Sequence, residues 1–190
     1  MLIPLGVSSR HIHLKREHVD VLFGGGYELT NMKDLSQPGE FAANETVRVV
    51  GPKGEFPKVR VLGPMRNFSQ LEISLTDSFS IGVKAPLRSS GNIEGTPGIK
   101  LIGPNGELEL TEGVIVAERH IHMTPSDAEK FGVKNGEYVS VKTSGPRGLI
   151  FDNVLIRVKE SFALDMHIDT DEANAAGVKT GDKAEILSEK

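Results

Sequence analysis

The tetrapeptide Arg10-His11-Ile12-His13 returns unchanged as Arg119-His120-Ile121-His122. Each copy follows a short apolar run, Ile3–Val7 in the first case and Val114–Ala117 in the second, and each precedes a short helical stretch. After the second copy, Thr124 suits an N-cap, Pro125 the first helical position and Asp127 the third, and Phe131-Gly132 ends the helix. After the first, Lys15 to Phe23 plays the same part and Gly24-Gly25-Gly26 stops it. A third, partial copy lies near the C-terminus. There Leu164-Asp165-Met166-His167-Ile168 alternates like a strand, Asp169-Thr170-Asp171-Glu172 starts a helix, and Ala175 to Asp182 closes it much as Phe131 to Glu137 closed the second. Three times, then, a strand ends in histidine and turns into a short helix.

Turns repeat as well. Gly51-Pro52-Lys53-Gly54, Gly103-Pro104-Asn105-Gly106 and Gly145-Pro146-Arg147-Gly148 each separate two β-branched runs. Proline presets the second turn position and glycine supplies the unusual torsions around it. The flanks are Thr46–Val50 with Lys58–Leu62, Ile99–Ile102 with Glu107–Leu110, and Tyr138–Thr143 with Asn153–Val158. All alternate apolar and polar residues as half-buried strands do. The expected fold class is mainly β with short helices, in two related small β-barrel domains. The boundary is expected where Pro86, Ser89, Ser90, Gly91, Gly95 and Pro97 thin the pattern, giving domains 1–90 and 91–190 with strands able to cross between them.

Composition removes several functions. With 22 Lys plus Arg against 26 Asp plus Glu, the formal charge is −4, so no basic surplus exists to neutralise a nucleic-acid backbone. The chain has no cysteine, which excludes disulfides, thiolate metal sites and cysteine nucleophiles, and suits a reducing cytoplasm. Met1 to Val7 lacks the cationic start and the length of a secretory signal, and no run approaches the ~18 apolar residues of a membrane span.

The histidines carry the chemistry. Four of the six form two His-x-His pairs. On a strand, residues i and i+2 face the same side, so each pair converges on one point where a cation such as zinc accepts imidazole ligands. A single histidine is ordinarily a hydrogen-bonded structural residue; two matched pairs at strand ends favour metal binding. His167, at the third strand end, is the candidate partner of the second pair, whereas His18, inside a helical stretch, is expected at the surface. Glu72 stands on the polar side of the alternating Gln70-Leu71-Glu72-Ile73-Ser74-Leu75, and Arg66 offers a planar fork suited to an oxyanion.

Taken together, Val7 to His13, Gly63-Pro64-Met65-Arg66, Gln70 to Ser74, Arg119 to His122 and Met166-His167 resemble the propanediol-utilisation type phosphotransacylases, the phosphate propanoyltransferase family. The resemblance runs from Pro4 to Asp182. It implies two related barrels sharing a dinuclear zinc site, with two zinc ions per chain. His11, His13 and Glu72 would hold one metal and His120, His122 and His167 the other, or the grouping would be exchanged between the metals with the same six ligands. It further implies phosphate at Arg66 with Ser90 close by, and coenzyme A along Ser8, Lys33, Arg60, Leu62 and Asn174. The implied reaction joins phosphate to the acyl group of propanoyl-CoA or acetyl-CoA, reversibly and without an acyl-enzyme. The rival readings are a zinc-dependent thioesterase or other metallohydrolase, and a non-catalytic binding barrel. Relatives packaged in microcompartments carry an amphipathic segment before the first histidine motif. With nine residues ahead of Arg10, a cytoplasmic enzyme outside any shell is expected. A homodimer is expected from the resemblance and from the exposed edges of short-stranded barrels.

Overall fold

The structure is a computed structural model that describes residues 2–187. The chain forms two compact units and passes from one to the other immediately before each copy of the repeated tetrapeptide. The N-terminal unit comprises Ser9–Leu35 and Gly39–Ala117; the C-terminal unit comprises residues 2–8, 36–38 and 118–187.

Among the described residues the N-terminal unit is a nine-stranded sheet, a half-barrel. Its strands are β2 (His11–His13), β3 (Asn31–Asp34), β4 (Phe41–Val50), β5 (Glu55–Gly63), β6 (Gln70–Glu72), β7 (Leu87–Arg88), β8 (Ile99–Ile102), β9 (Glu107–Leu110) and β10 (Val114–Ala117). They lie in the order β7-β10-β6-β2-β5-β4-β8-β9, with β3 beside β4. The C-terminal unit is a closed barrel of β1 (Leu2–Ser8), β11 (His120–Met123), β12 (Tyr138–Thr143), β13 (Ile150–Val158), β14 (Asp165–Asp169) and β15 (Lys183–Leu187). Its order is β1-β14-β11-β13-β12-β15.

The two orders match strand for strand. The series β10-β6-β2-β5-β4-β8 passes through the same succession of parallel and antiparallel neighbours as β1-β14-β11-β13-β12-β15. Closure marks the difference: β1 also pairs with β15, whereas β8 pairs outward with its hairpin partner β9. The strand before each histidine motif is exchanged. β1 leads into β2 along the chain but pairs with β14, and β10 leads into β11 but pairs with β6.

This exchange moves the expected boundary at 90/91. The turn-rich stretch around 85–100 belongs inside the N-terminal unit, where the Pro86 and Pro97 carbonyls accept the Val116 and Val114 N–H groups of β10 at 2.9 and 3.0 Å. The division falls instead after Ala117, and β1 joins the C-terminal unit.

Each unit has its own core. Ile12, Val59, Val61 and Leu71 are buried in one, and Ile121, Ile156, Met166 and Ile168 in the other. Burying such a side chain contributes ~1.5–3 kcal/mol, which fixes the face each strand turns inward. Helices follow the histidine strands: α1 (Arg16–Phe23), α3 (Pro125–Phe131) and α4 (Thr170–Ala176), the last two with complete capping boxes and left-handed glycines at Gly132 and Gly177. A further helix, α2 (Leu75–Ile81), follows β6; Ser74 caps it by accepting the Asp77 N–H, and Gly82 ends it.

Candidate metal centres and anion site

On β2, Ile12 enters the core and leaves His11 and His13 together on the opposite face. The register sets Glu72 opposite His11 and Gln70 opposite His13. His11, His13 and Glu72 each bring one ligand atom to within 4.8 Å of the others. Glu72 Oε2 is 3.5 Å from His11 Nε2, and Oε1 is 4.0 Å from His13 Nε2. The Nδ1–H of His11 donates to the Ser9 carbonyl at 2.9 Å, so in the neutral ring the lone pair lies on Nε2, toward Glu72.

Burial opposes charge on all three groups, and their mutual interactions decide the outcome. The Glu72 carboxylate is held well below the usual carboxylate range because His11 and His13 outweigh its desolvation. His11 is likewise desolvated, yet the Glu72 charge raises it above its ordinary value. At His13, burial together with repulsion from His11 and Arg66 pushes the ring well below its ordinary value. The Glu72 anion and the neutral His13 ring match the protonation states that a divalent cation requires of its ligands, whereas the shift at His11 favours a proton that such a cation would displace.

A hydrogen-bonded chain leads from Glu72 to Arg66. Gln70, fully buried, donates through Nε2 to Glu72 Oε1 at 2.7 Å and to Ser90 Oγ at 2.8 Å, while its Oε1 accepts the Gly91 N–H at 2.8 Å. Ser90 donates its hydroxyl to Glu72 Oε1 at 2.9 Å and accepts from Arg66 Nη1 at 3.4 Å. Arg66 Nη2 donates to Glu40 Oε1 at 3.0 Å. The Arg66 N–H donates to the Leu14 carbonyl at 3.0 Å, tying the loop after β5 to the segment after β2.

The C-terminal unit repeats the pattern with a different third residue. On β14, His167 faces His120 and Asp165 faces His122. His120, His122 and His167 each bring a ligand atom within 4.8 Å of the others. The ring centroids are 4.6 to 5.2 Å apart. The His120 Nδ1–H donates to the Glu118 carbonyl at 2.8 Å, as its counterpart His11 does to Ser9. Three imidazoles in one set, and two imidazoles with a carboxylate in the other, are donor sets that fit zinc.

Lys33, Arg60 and Leu62 share the face that carries the N-terminal histidines. Lys33 and Leu62 both pair with Ala42, Leu62 pairs with His13, and Arg60 pairs with His11. Arg60 Nη1 is held by the Ala43 and Asn44 carbonyls, each at 2.9 Å. In the C-terminal unit, Ser8 ends β1 opposite Asp169, and Asn174 is exposed on α4.

Neither motif arginine belongs to a cluster. Arg10 bonds Asp77 through Nε and Nη2 at 2.9 and 2.5 Å and lies 4.3 Å over the Phe56 ring. Arg119 bonds Glu172 at 2.8 Å and lies 5.5 Å over Phe151. Both acids occupy the third position of the helix that follows the strand of the third histidine partner. His18 is half-buried, not a surface residue: its Nδ1 is 2.7 Å from Ser69 Oγ. Sequence pattern alone does not single out Gln70, Asp165 or Glu40. Aligning Gln70-Leu71-Glu72 with Asp165-Met166-His167 exposes the first two as equivalent positions.

Comparison with known proteins places the chain among phosphate propanoyltransferases. The family model for phosphate propanoyltransferase matches residues 4–179. The chain is 60% identical over 186 residues to a phosphate propanoyltransferase of Thermotoga maritima, covering 97% of this chain and 89% of that protein. One from Leptotrichia buccalis is 63% identical over 174 residues, covering 92% and 82%. Another, from Clostridioides difficile, is 56% identical over 185 residues, covering 97% and 88%.

Proposed function

The chain belongs to the phosphate propanoyltransferase family, an acyltransferase family, and from that premise we propose that it exchanges an acyl group between coenzyme A and phosphate by direct transfer. Propanoyl-CoA or acetyl-CoA plus phosphate would give acyl phosphate plus coenzyme A, reversibly. The observation that carries this reading is the Arg66–Ser90–Glu72 chain, which joins an anion-binding guanidinium to a buried cluster of ligand type.

In this reading His11, His13 and Glu72 would hold one zinc ion and His120, His122 and His167 a second. Bound zinc supplies Lewis acidity, which polarises carbonyl or phosphoryl oxygens and stabilises a thiolate. Arg66 binds phosphate, since a guanidinium matches two phosphate oxygens with parallel N–H donors. Glu40 holds one arm of that fork in place and yields it to the incoming anion. Ser90, its proton directed at Glu72, accepts from the other arm and fixes the plane of the guanidinium.

A phosphate oxygen held in this way attacks the thioester carbonyl carbon. The C–O bond forms, the C–S bond breaks, and the sulfur leaves with its electron pair as coenzyme A thiolate. Orientation by Arg66 makes the step nearly unimolecular. The chain has no cysteine to carry the acyl group. On the N-terminal unit, Lys33 and Arg60 would supply positive charge and Leu62 an apolar contact for coenzyme A. A cytoplasmic homodimer is part of the same proposal. No described helix is long and apolar enough to cross a membrane.

The test is to incubate zinc-loaded protein with propanoyl-CoA in the presence and absence of phosphate. Thiol release and acyl phosphate, trapped as the hydroxamate, are measured together. Direct transfer gives phosphate-dependent thiol release matched by acyl phosphate. Thiol release without phosphate would mark a thioesterase, and an acylated side chain would overturn direct transfer.

A further inference from the structure

Each unit places a buried polar residue behind its third candidate ligand. Gln70 stands two residues before Glu72 and Asp165 two residues before His167, on matching strands and on the same face as the ligand. Gln70 is fully buried and Asp165 is 5% exposed. Each bonds the ligand candidate beside it: Gln70 Nε2 donates to Glu72 Oε1 at 2.7 Å, and Asp165 Oδ2 accepts from His167 Nε2 at 3.0 Å. The polarity inverts with the ligand. A carboxylate ligand accepts, and its neighbour is a donor; an imidazole ligand has one N–H to give, and its neighbour is an acceptor.

Gly6 supplies an independent sign that the second pair is built. It registers directly opposite His167, and its backbone torsion does not call for glycine. A Cβ there would meet His167 Cδ2 at 3.0 Å and Asp165 Oδ2 at 3.1 Å, so the missing side chain makes room for this ring and this carboxylate. Ser36 Oγ, 3.3 Å from the same Nε2, is a longer second partner.

We propose that Asp165 is a positioning residue that fixes His167 as its Nε2–H tautomer and turns Nδ1 to the cation shared with His120 and His122. His167 would then bind through the opposite nitrogen from His120, whose Nδ1 is committed to the Glu118 carbonyl. A ligand histidine commonly donates its other N–H to a carboxylate or carbonyl, and removing that partner weakens metal affinity ~10–100-fold. The proposal rests on reading this cluster as a zinc site.

The experiment uses the full chain loaded with zinc. Long-range 1H–15N NMR of the unsubstituted protein should show His167 protonated on Nε2, and His11 and His120 protonated on Nδ1. In chelator competition, Asp165→Ala should weaken one of two zinc equivalents ~10–100-fold, whereas Asp165→Asn, which keeps an oxygen acceptor, should lose less. Gly6→Ala, which removes no polar group, should weaken the same equivalent. Protonation of His167 on Nδ1 overturns the proposal without any substitution. So does an Asp165→Ala chain that keeps both equivalents at the wild-type midpoint, with the zinc reading left standing. A wild-type chain that binds no zinc removes the metal site and the proposal with it.

Discussion

Arg10→Ala separates scaffolding from chemistry within the repeated tetrapeptide. The Asp77 side chain is 6% exposed and takes both hydrogen bonds that Arg10 offers, at 2.9 and 2.5 Å. Breaking a fully buried ion pair from one side costs ~3–5 kcal/mol, whereas an exposed pair is worth at most ~1 kcal/mol. The Arg10 side chain is 42% exposed, so the loss falls between these limits, at ~2–3 kcal/mol. The stack over Phe56, at 4.3 Å, adds ~0.5–1 kcal/mol. Urea unfolding should therefore show a loss of ~2.5–4 kcal/mol, and a double-mutant cycle with Asp77→Asn should return coupling of ~1.5–3 kcal/mol. Arg119→Ala should cost a comparable amount, because Arg119 likewise makes two hydrogen bonds, to Glu172 and to the Asp152 carbonyl, each at 2.8 Å, although it sits farther from its ring. A loss under ~0.5 kcal/mol, the range of an ordinary surface change, would refute this reasoning. So would Arg10→Ala protein of wild-type stability that no longer transfers acyl groups, since Arg10 would then belong to the chemistry.

Arg66→Lys keeps the charge but loses the two-armed fork, so the KM for phosphate should rise ~10-fold or more while that for acyl-CoA stays near wild type; equal increases in both would remove phosphate from Arg66. Glu45→Gln tests pH dependence. Burial disfavours the Glu45 charge, but hydrogen bonds from Thr30 and Tyr27 outweigh it and hold its pKa below the ordinary 4.5. A depressed native pKa stabilises the fold above the unfolded value and ceases to do so as pH falls through the native one. Denaturant melts should show Glu45→Gln weaker than wild type at pH 7, with the gap closing below pH ~4.5; a gap that widened in acid would reverse the sign.

Much of this was legible because it is local. The hairpins at Gly51, Gly103 and Gly145, and the helices opened by Thr124 and Asp169, depend on residues close in sequence. The pairs His11/His13 and His120/His122 follow from the two-residue period of a strand. The α2 helix had equally local signals, Ser74 with Asp77 and the glycine at 82, hidden in a run read as strand through Leu75. The exchange of β1 and β10 was not legible. Ile3–Val7 and Val114–Ala117 are apolar whichever unit receives them, and their partners lie far along the chain. For the same reason sequence pattern does not mark Gln70 and Asp165: their significance comes from cross-strand register, and burial reverses the usual meaning of a polar side chain.

Metal content tests the central claim most directly. Full-length protein purified without chelator and analysed for bound zinc should carry two equivalents per chain. His13→Ala and His122→Ala should each lose one and retain the other, because their ligand sets belong to separate clusters. A wild-type chain that binds no divalent cation, or variants that keep both equivalents, would contradict it.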